Sequence, residues 1–209
     1  MKMNLPNKLT VLRLCLVPVI LAVGILPESI LPFYASCIVC AFLFIGTAIT
    51  DMLDGKIARK HNLITDFGKF MDPVADKFMV IGTMFVILYK FENLRLIMMA
   101  SLIVVVFREL AVTSMRLVVS TGSHIVIAAN NLGKIKTVSQ IVAISAVFLE
   151  PVLQWIVRLI AQAVVGHSLF WRTDIIPVTW LSLAFCIVMT VWSGINYIMA
   201  YWKYLDPEK

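Results

Sequence analysis

The chain has 209 residues, of which 61% are hydrophobic and 14% are charged. Soluble domains average about 45–50% apolar and about 25% charged residues, so the composition excludes an ordinary soluble protein. The formal net charge is +6. In so apolar a chain, this charge predicts attraction to anionic lipid and to an anionic substrate, and it makes nucleic acid an unsuitable partner.

Six apolar segments follow one another along the chain, at 10–26, 31–50, 78–91, 96–119, 138–165 and 175–200. Each reaches or approaches the roughly 20 residues that a helix needs to cross a bilayer core of about 30 Å. The segments alternate with short connections, which favour antiparallel neighbours. We therefore predict an all-α integral membrane protein, a six-transmembrane-helix bundle that forms one domain over residues 1–209.

The distribution of lysine and arginine predicts the orientation of this bundle. Of the 18 lysines and arginines, all but Lys90, Arg95, Arg158 and Arg172 fall on the side that carries the N-terminus. Because cytoplasmic loops retain positive charge, both termini are expected in the cytoplasm and the protein in the plasma membrane. The first segment is too long for a secretory leader and ends in a poor cleavage site, so we expect a mature helix there.

Four carboxylates stand where the second apolar segment ends and the third begins. Asp51 and Asp54 are three residues apart, and Asp72 and Asp76 are four apart, so each pair occupies one face of a helix. Carboxylates at a membrane edge are costly without a counter-charge. Oxygen ligands without histidine or cysteine favour Mg²⁺ or Mn²⁺. Four carboxylates can bridge two such ions, and that arrangement suits displacement at phosphorus.

Small residues and one arginine accompany the acids. Gly55 directly follows Asp54 and permits close approach to the backbone, while Ala58 and Gly68 keep the helices slim. Arg59 lies on the same helical side as the first acid pair, where its forked donors could bind a phosphate. Helix packing explains each small residue equally well when it is taken alone. Together with the acids, they predict a site for a phosphate-bearing ligand.

The combined pattern resembles the signature of the CDP-alcohol phosphatidyltransferase family. It reads Asp51-x-x-Asp54-Gly55-x-x-Ala58-Arg59 and then, after eight residues, Gly68-x-x-x-Asp72-x-x-x-Asp76. In that family a lipid bearing CDP transfers its phosphatidyl group to an alcohol and releases CMP. The resemblance also covers the six-helix layout, and it favours a homodimer.

The resemblance implies a role for each residue of the signature. Two divalent cations, Mg²⁺ or Mn²⁺, would be held by Asp51, Asp54 and Asp72, with Asp76 as a further metal contact. Asp76 would also be the catalytic general base, within hydrogen-bond reach of the attacking hydroxyl. The CDP group would be bound by Gly55, Ala58, Arg59 and Gly68.

A second polar zone indicates which alcohol accepts the phosphatidyl group. Its four cations are Arg108, Arg116, Lys134 and Lys136, with Gln140 nearby. Cations that meet in one cavity suit a doubly charged phosphate. The alternative is that they are interfacial anchors or snorkelling side chains, although Arg108 lies two turns before Arg116 and so deeper in the membrane.

Two further segments resemble the branch of the family whose acceptor is sn-glycerol 3-phosphate. One comprises Arg108-Glu109-Leu110, Arg116 and residues 129–137. The other is the opening, Asn4-Leu-Pro-Asn7-Lys-Leu-Thr10 with Arg13. Asn7 and Thr10 are therefore candidates for the head-group pocket, while a helix cap explains Asn7 equally well.

These resemblances imply that CDP-diacylglycerol and sn-glycerol 3-phosphate give phosphatidylglycerophosphate and CMP, at a site facing the cytoplasm. One alternative keeps the chemistry and changes the acceptor to phosphatidylglycerol, inositol phosphate or serine. A remote alternative is a membrane transporter that uses intramembrane acids. That reading predicts acids spread through the depth of the membrane and repeated halves, whereas these acids are expected at one depth.

Overall fold

A computed structural model describes residues 4–60, 65–122, 131–165 and 176–202, apart from the side chains at 54, 56–60, 120–122 and 165. This part of the chain contains six long helices and no strand, which confirms the all-α prediction. The helices are α1 (Leu5–Ile25), α2 (Phe33–Lys60), α3 (Asp66–Lys90), α4 (Arg95–Gly122), α5 (Asn131–Val165) and α6 (Pro177–Tyr201). A short 3-10 helix, Glu92–Leu94, precedes α4.

Five of the described helical segments are long and apolar enough to cross a membrane. They are Leu5–Ile25, Phe33–Leu53, Glu92–Val119, Asn131–Val164 and Pro177–Tyr201. Helix α3 is not among them, because its first half carries both acids and lysines and only residues 78–89 are continuously uncharged. Large apolar side chains on several helices point outward, as a lipid environment requires: Phe42 is 78% exposed and Leu96 is 84% exposed.

Three helices extend well beyond the apolar segments predicted from the sequence. Helix α2 continues past residue 50 to Lys60, α3 begins at Asp66 instead of residue 78, and α5 begins at Asn131 instead of residue 138. Hydrophobicity marks the part of a helix that lies in lipid, whereas a helix can continue through polar residues. The acids and most of the cations therefore project from helices, which hold side chains more precisely than loops do.

Helices α1 and α3 pack closely because glycines remove side chains from their contact. A Cβ atom added to Gly24 would lie 2.1 Å from Cγ1 of Val86, and one added to Gly82 would lie 2.8 Å from Cγ1 of Val17. Small residues permit such approach of helices within membranes. The packing brings the polar start of α1 against the acidic start of α3.

The start of α6 is fixed by a buried carboxylate of α5. Glu150 is 7% exposed and accepts hydrogen bonds from the backbone nitrogens of Val178 and Thr179, at 3.1 and 2.7 Å. The residue at the N-cap position, Ile176, provides no side-chain hydrogen bond. Glu150 therefore satisfies amide groups that a helix leaves unpaired at its N-terminus.

Candidate active site

A row of buried polar side chains on α1 organises the acidic part of the site. Asn7, Thr10 and Arg13 are spaced by three residues, so they lie along one face of the helix. They are 8%, 1% and 1% exposed. Asn4 caps α1 by accepting a hydrogen bond from the backbone nitrogen of Asn7 at 3.2 Å. The interpretation of Asn7 as the cap is therefore wrong.

Asn7 contacts the first turn of α3. Its Oδ1 accepts a hydrogen bond from the hydroxyl of Thr65 at 3.0 Å. Thr65 is the N-cap of α3, and its oxygen accepts from the backbone nitrogen of Gly68 at 3.1 Å. A Cβ atom on Gly68 would lie 3.1 Å from Asn7 Oδ1. Gly68 thus leaves space for this junction between α1 and α3.

The next two members of the row bind the acids. The hydroxyl of Thr10 donates to Oδ1 of Asp72 at 2.7 Å. One turn further on, Nη1 of Arg13 lies 2.7 Å from Oδ1 of Asp51 and 2.7 Å from Oδ1 of Asp76. A buried arginine needs such partners because an uncompensated charge is costly away from water. Arg13 thus joins carboxylates from α2 and α3.

The acidic group carries more negative charge than Arg13 neutralises. Asp76 lies before the apolar part of α3, where its partial burial, with a contribution from the neighbouring Asp51 carboxylate and against the opposing effect of Arg13, raises its pKa to about 7. Asp72 adds further negative charge to the same group. Such crowding favours either a bound proton or an additional cation.

The donor atoms of this group have the chemistry that a hard divalent cation prefers, since they are all carboxylate oxygens. Within the described part of the chain, no three acidic, histidine or cysteine side chains are close enough together to form a complete metal-binding group. The fourth predicted ligand, Asp54, follows Asp51 by three residues on α2, and its side chain lies outside the described part. The described carboxylates thus have the oxygen chemistry of a divalent-cation site but do not form a complete one by themselves, and Arg13 supplies positive charge between Asp51 and Asp76.

Two of the predicted phosphate-binding cations are held by a carboxylate of α4, Glu109, whose side chain is 13% exposed. Oε1 of Glu109 accepts from Nη1 of Arg108 at 3.2 Å and also from Nζ of Lys136. Nη2 of Arg108 donates to the hydroxyl oxygen of Ser193 on α6 at 2.8 Å. A Cβ atom on Gly194 would lie 3.2 Å from Cγ of Arg108, so this glycine leaves room for the arginine.

The other two predicted phosphate-binding residues, Arg116 and Lys134, are more exposed. Nε of Arg116 lies 3.5 Å from the hydroxyl of Tyr197, which is a long hydrogen bond, and Lys134 is exposed at the start of α5. Lys77, which follows Asp76 directly, donates to the hydroxyl of Thr113 at 2.5 Å.

Two adjoining cavities bring the acids and the cations together. One of about 300 Å³ is lined by residues that include Asp72, Asp76, Lys77, Arg108, Glu109, Arg116, Lys136 and Gln140. A second of about 600 Å³ is lined by residues that include Asp51, Asp76, Arg108, Arg116, Lys134 and Tyr197. Each of the four predicted phosphate-binding cations thus lines one or both of these cavities, and Asp76 lines both. This placement permits an anion to be bound beside the Asp76 carboxylate.

Other predicted residues lie apart from these cavities or outside the described part. Asn7, Thr10, Gly55 and Gly68 are not among the described lining residues of either cavity. The structure instead places Thr10 against the Asp72 carboxylate and Asn7 against Thr65 at the start of α3. The side chains of Ala58 and Arg59, predicted to bind CDP, lie outside the described part.

Four residues contribute to this geometry in ways that were not predicted from the sequence: Arg13, Lys77, Ser193 and Tyr197. The polarity of Ser193 and Tyr197, four residues apart in an apolar helix, was the available signal, since such spacing marks one helical face. Arg13 had been noted only as part of the resemblance at the chain's opening. A buried contact with Asp51 and Asp76 depends on how α1 packs, which spacing does not reveal.

The fold and this site together define a helical protein with membrane-spanning segments and a charged cavity suited to phosphate groups. The family model of CDP-alcohol phosphatidyltransferase matches residues 3–203. The chain therefore belongs to the CDP-alcohol phosphatidyltransferase family, as its signature indicated.

Curated relatives are similar over nearly their whole length. One from Bacillus subtilis (strain 168) is 37% identical over 214 aligned residues, covering 98% of each chain. One from Escherichia coli (strain K12) is 30% identical over 203 residues, covering 96% of each chain. One from Shigella flexneri serotype 5b is also 30% identical, over 201 residues. All three are named CDP-diacylglycerol--glycerol-3-phosphate 3-phosphatidyltransferase.

Proposed function

We propose that this protein transfers the phosphatidyl group of CDP-diacylglycerol to sn-glycerol 3-phosphate, giving phosphatidylglycerophosphate and CMP. The observation that carries the proposal is the pair of adjoining cavities, in which Asp76 lies with Arg108, Arg116 and either Lys134 or Lys136. The name that the relatives share, at 30–37% identity over nearly the full chain, supports the same substrates.

Asp76 is the group proposed to remove the proton from the attacking hydroxyl. Its carboxylate accepts the proton of the 1-hydroxyl of glycerol 3-phosphate, and that oxygen forms a bond to the lipid-side phosphorus of CDP-diacylglycerol. The bond from this phosphorus to the oxygen of CMP breaks, and CMP leaves with the electron pair. Arg13 stabilises the charged form of Asp76 and fixes its position between α1 and α3.

The proposed metal ligands are Asp51, Asp54, Asp72 and Asp76. Two divalent cations, Mg²⁺ or Mn²⁺, would neutralise the pyrophosphate of the donor and stabilise the leaving CMP. Thr10 holds Asp72 in place through the 2.7 Å hydrogen bond to its Oδ1. In the CDP site, Gly55, Ala58, Arg59 and Gly68 remain the proposed contacts.

The acceptor phosphate is proposed to bind to Arg108, Arg116, Lys134 and Lys136. Charge-assisted hydrogen bonds are strong and become stronger where water is partly excluded. Arg108 and Lys136 are held in place by the shared Glu109 carboxylate. The smaller cavity, of about 300 Å³, lies at the lower end of the roughly 300–1,000 Å³ usual for ligand sites. It therefore suits a small phosphate better than a second whole lipid.

The membrane arrangement is part of the proposal. We propose that α3 is the sixth transmembrane helix, that both termini and the active site face the cytoplasm, and that the protein is a homodimer in the plasma membrane. The excess of lysine and arginine on the proposed inner side supports the orientation. Labelling of cysteines on each side of the membrane tests the orientation, and light scattering in detergent tests the dimer.

The activity is tested with purified protein, CDP-diacylglycerol and one acceptor at a time. CMP release should require sn-glycerol 3-phosphate and yield phosphatidylglycerophosphate by mass spectrometry. Phosphatidylglycerol, inositol phosphate and serine form the comparison. Removal of divalent cations with EDTA should stop turnover, and Mg²⁺ or Mn²⁺ should restore it. CMP release that is independent of glycerol 3-phosphate contradicts the proposed acceptor, and full activity in EDTA contradicts the proposed cations.

A further inference from the structure

Gln140 is a buried amide that borders the smaller cavity. Its side chain is 2% exposed, and it lines this cavity together with Asp76, Glu109 and Lys136. Its Nε2 atom has no hydrogen-bond partner among the residues that the structure describes. A buried donor without an acceptor is costly, and a ligand that enters the cavity can provide the missing acceptor.

The position of Gln140 distinguishes it from the cations around it. It follows Lys136 by four residues, so the two side chains lie on the same face of α5, and Gln140 is one turn further into the apolar part of the helix. The cations are suited to the phosphate. The side-chain amide of Gln140 carries no charge. Its N–H group is therefore better suited to a neutral oxygen than to the charged phosphate, which the cations already bind.

The cavity also contains a hydrogen-bond acceptor for the proton of a ligand hydroxyl. A hydroxyl both donates and accepts a hydrogen bond. Glu109 is a carboxylate and can only accept, while the Nε2 of Gln140 can only donate. The two residues, on α4 and α5, line the same cavity. Together they provide a complementary pair for one alcohol group that does not react.

We propose that Gln140 is a specificity-determining residue that donates a hydrogen bond to the 2-hydroxyl oxygen of the acceptor, while Glu109 accepts the proton of that hydroxyl. This inference rests on the proposed function, in which glycerol 3-phosphate reacts through its 1-hydroxyl. A site that is built to pair a substrate hydroxyl disfavours an analogue that lacks it, because the buried amide donor of Gln140 then stays unpaired. The 2-hydroxyl thus becomes a criterion for selecting the acceptor.

The test compares glycerol 3-phosphate with 3-hydroxypropyl phosphate, which keeps the phosphate and the attacking hydroxyl but lacks the 2-hydroxyl. The wild-type protein should use glycerol 3-phosphate with a kcat/KM about tenfold or more above that of the analogue. Gln140→Met has a similar length and no donor. It should bring the two kcat/KM values to within a few-fold of each other, chiefly by lowering the value for glycerol 3-phosphate.

Gln162→Met is the matched control, since Gln162 is an exposed glutamine on the same helix and lies outside the described cavity lining. It should keep the wild-type preference. If Gln140→Met cannot be recovered folded, Gln140→Asn withdraws the amide by one methylene group and should also reduce the preference.

Three results overturn the inference while leaving the proposed function standing. They are a wild type that does not discriminate between the two acceptors, a preference that is unchanged in the Gln140 variants, and an equal loss with both acceptors. The last result indicates a phosphate contact or a packing role. In contrast, a wild type that releases no CMP with either phosphate contradicts the proposed function itself.

Discussion

The guanidinium of Arg13 lies 2.7 Å from the carboxylate of Asp76 and so joins α1 to the proposed catalytic base. The arginine side chain is 0% exposed, whereas that of Asp76 is 49% exposed. Water can therefore reach the carboxylate but not the guanidinium. The buried partner is the one that fixes the geometry, and the carboxylate remains accessible to a substrate hydroxyl.

Arg13→Met should lower both the activity and the stability. The change keeps an apolar stem of similar length but removes the counter-charge between Asp51 and Asp76. We expect a loss in the free energy of unfolding of about 1–3 kcal/mol, below the roughly 3–5 kcal/mol for an ion left fully buried, because both carboxylates are partly exposed. Thermal unfolding in detergent and kcat measure the two effects.

The control for this variant is Arg95→Met. Arg95 pairs with Glu92 on the surface, and both side chains are more than half exposed. Exposed ion pairs contribute about 0–1 kcal/mol, so the control should resemble the wild type. Equal stability of Arg13→Met and Arg95→Met contradicts the proposed role of the buried guanidinium.

Asp76→Asn should reduce kcat by roughly 10²–10⁴-fold, which is the usual contribution of a general base. The fold should persist because Arg13 keeps its contact with Asp51 at 2.7 Å. CMP release and the unfolding temperature measure these two properties separately. Asp66→Asn is a matched control on the same helix, since the Asp66 side chain is 98% exposed. Normal turnover in Asp76→Asn removes the assignment of the base.

The acidic half of the site could be predicted because it depends on local spacing. Asp72 and Asp76 are one helical turn apart, and the helix that carries them forms as expected. The contact of Arg13 with Asp51 and Asp76 could not be predicted, because it depends on the packing of α1 against α3. That packing follows from close fits such as Gly82 against Val17, which involve residues far apart in sequence.

In the cationic half of the site, too, the features set by local spacing could be predicted and the contacts set by helix packing could not. Lys136 and Gln140 share a helical face by spacing alone. The contact of Arg108 with Ser193, in contrast, joins residues 85 positions apart. The fifth apolar segment was predicted from residue 138 onward, whereas α5 begins at Asn131. Apolar content identifies the part of a helix in lipid and does not mark where the helix itself starts.

Arg116→Ala should raise the KM for glycerol 3-phosphate by about tenfold and change kcat little. Its side chain is exposed, and its hydrogen bond to Tyr197 is a long one, so its removal should cost the fold little. A hydrogen bond to a charged group contributes about 1.5–3 kcal/mol, which is consistent with a tenfold or larger effect on binding. Initial rates at varied acceptor concentration provide both constants.

Lys136→Ala should also raise the KM for glycerol 3-phosphate, but part of its effect should come from the loss of the ion pair with Glu109. Lys136 is 4% exposed and pairs with Glu109, so its removal leaves that carboxylate with Arg108 as its remaining ion-pair partner among the described residues. Lys69→Ala is a control for both variants, because Lys69 is exposed and pairs with Asp66 on the surface. An unchanged KM in both Arg116→Ala and Lys136→Ala contradicts the proposed phosphate site.

Gly194→Ala tests whether the position of Arg108 matters to the acceptor. The added Cβ would lie 3.2 Å from Cγ of Arg108, so the arginine must shift by a few tenths of an ångström and its 2.8 Å hydrogen bond to Ser193 should weaken. We expect a rise of a few-fold in the KM for glycerol 3-phosphate, with an unfolding temperature close to that of the wild type. Gly46→Ala is the matched control, because a Cβ at Gly46 has no described atom within 4 Å. If the two variants have the same KM, the placement of Arg108 by α6 does not contribute to acceptor binding, since the alanine itself favours the helix equally in both.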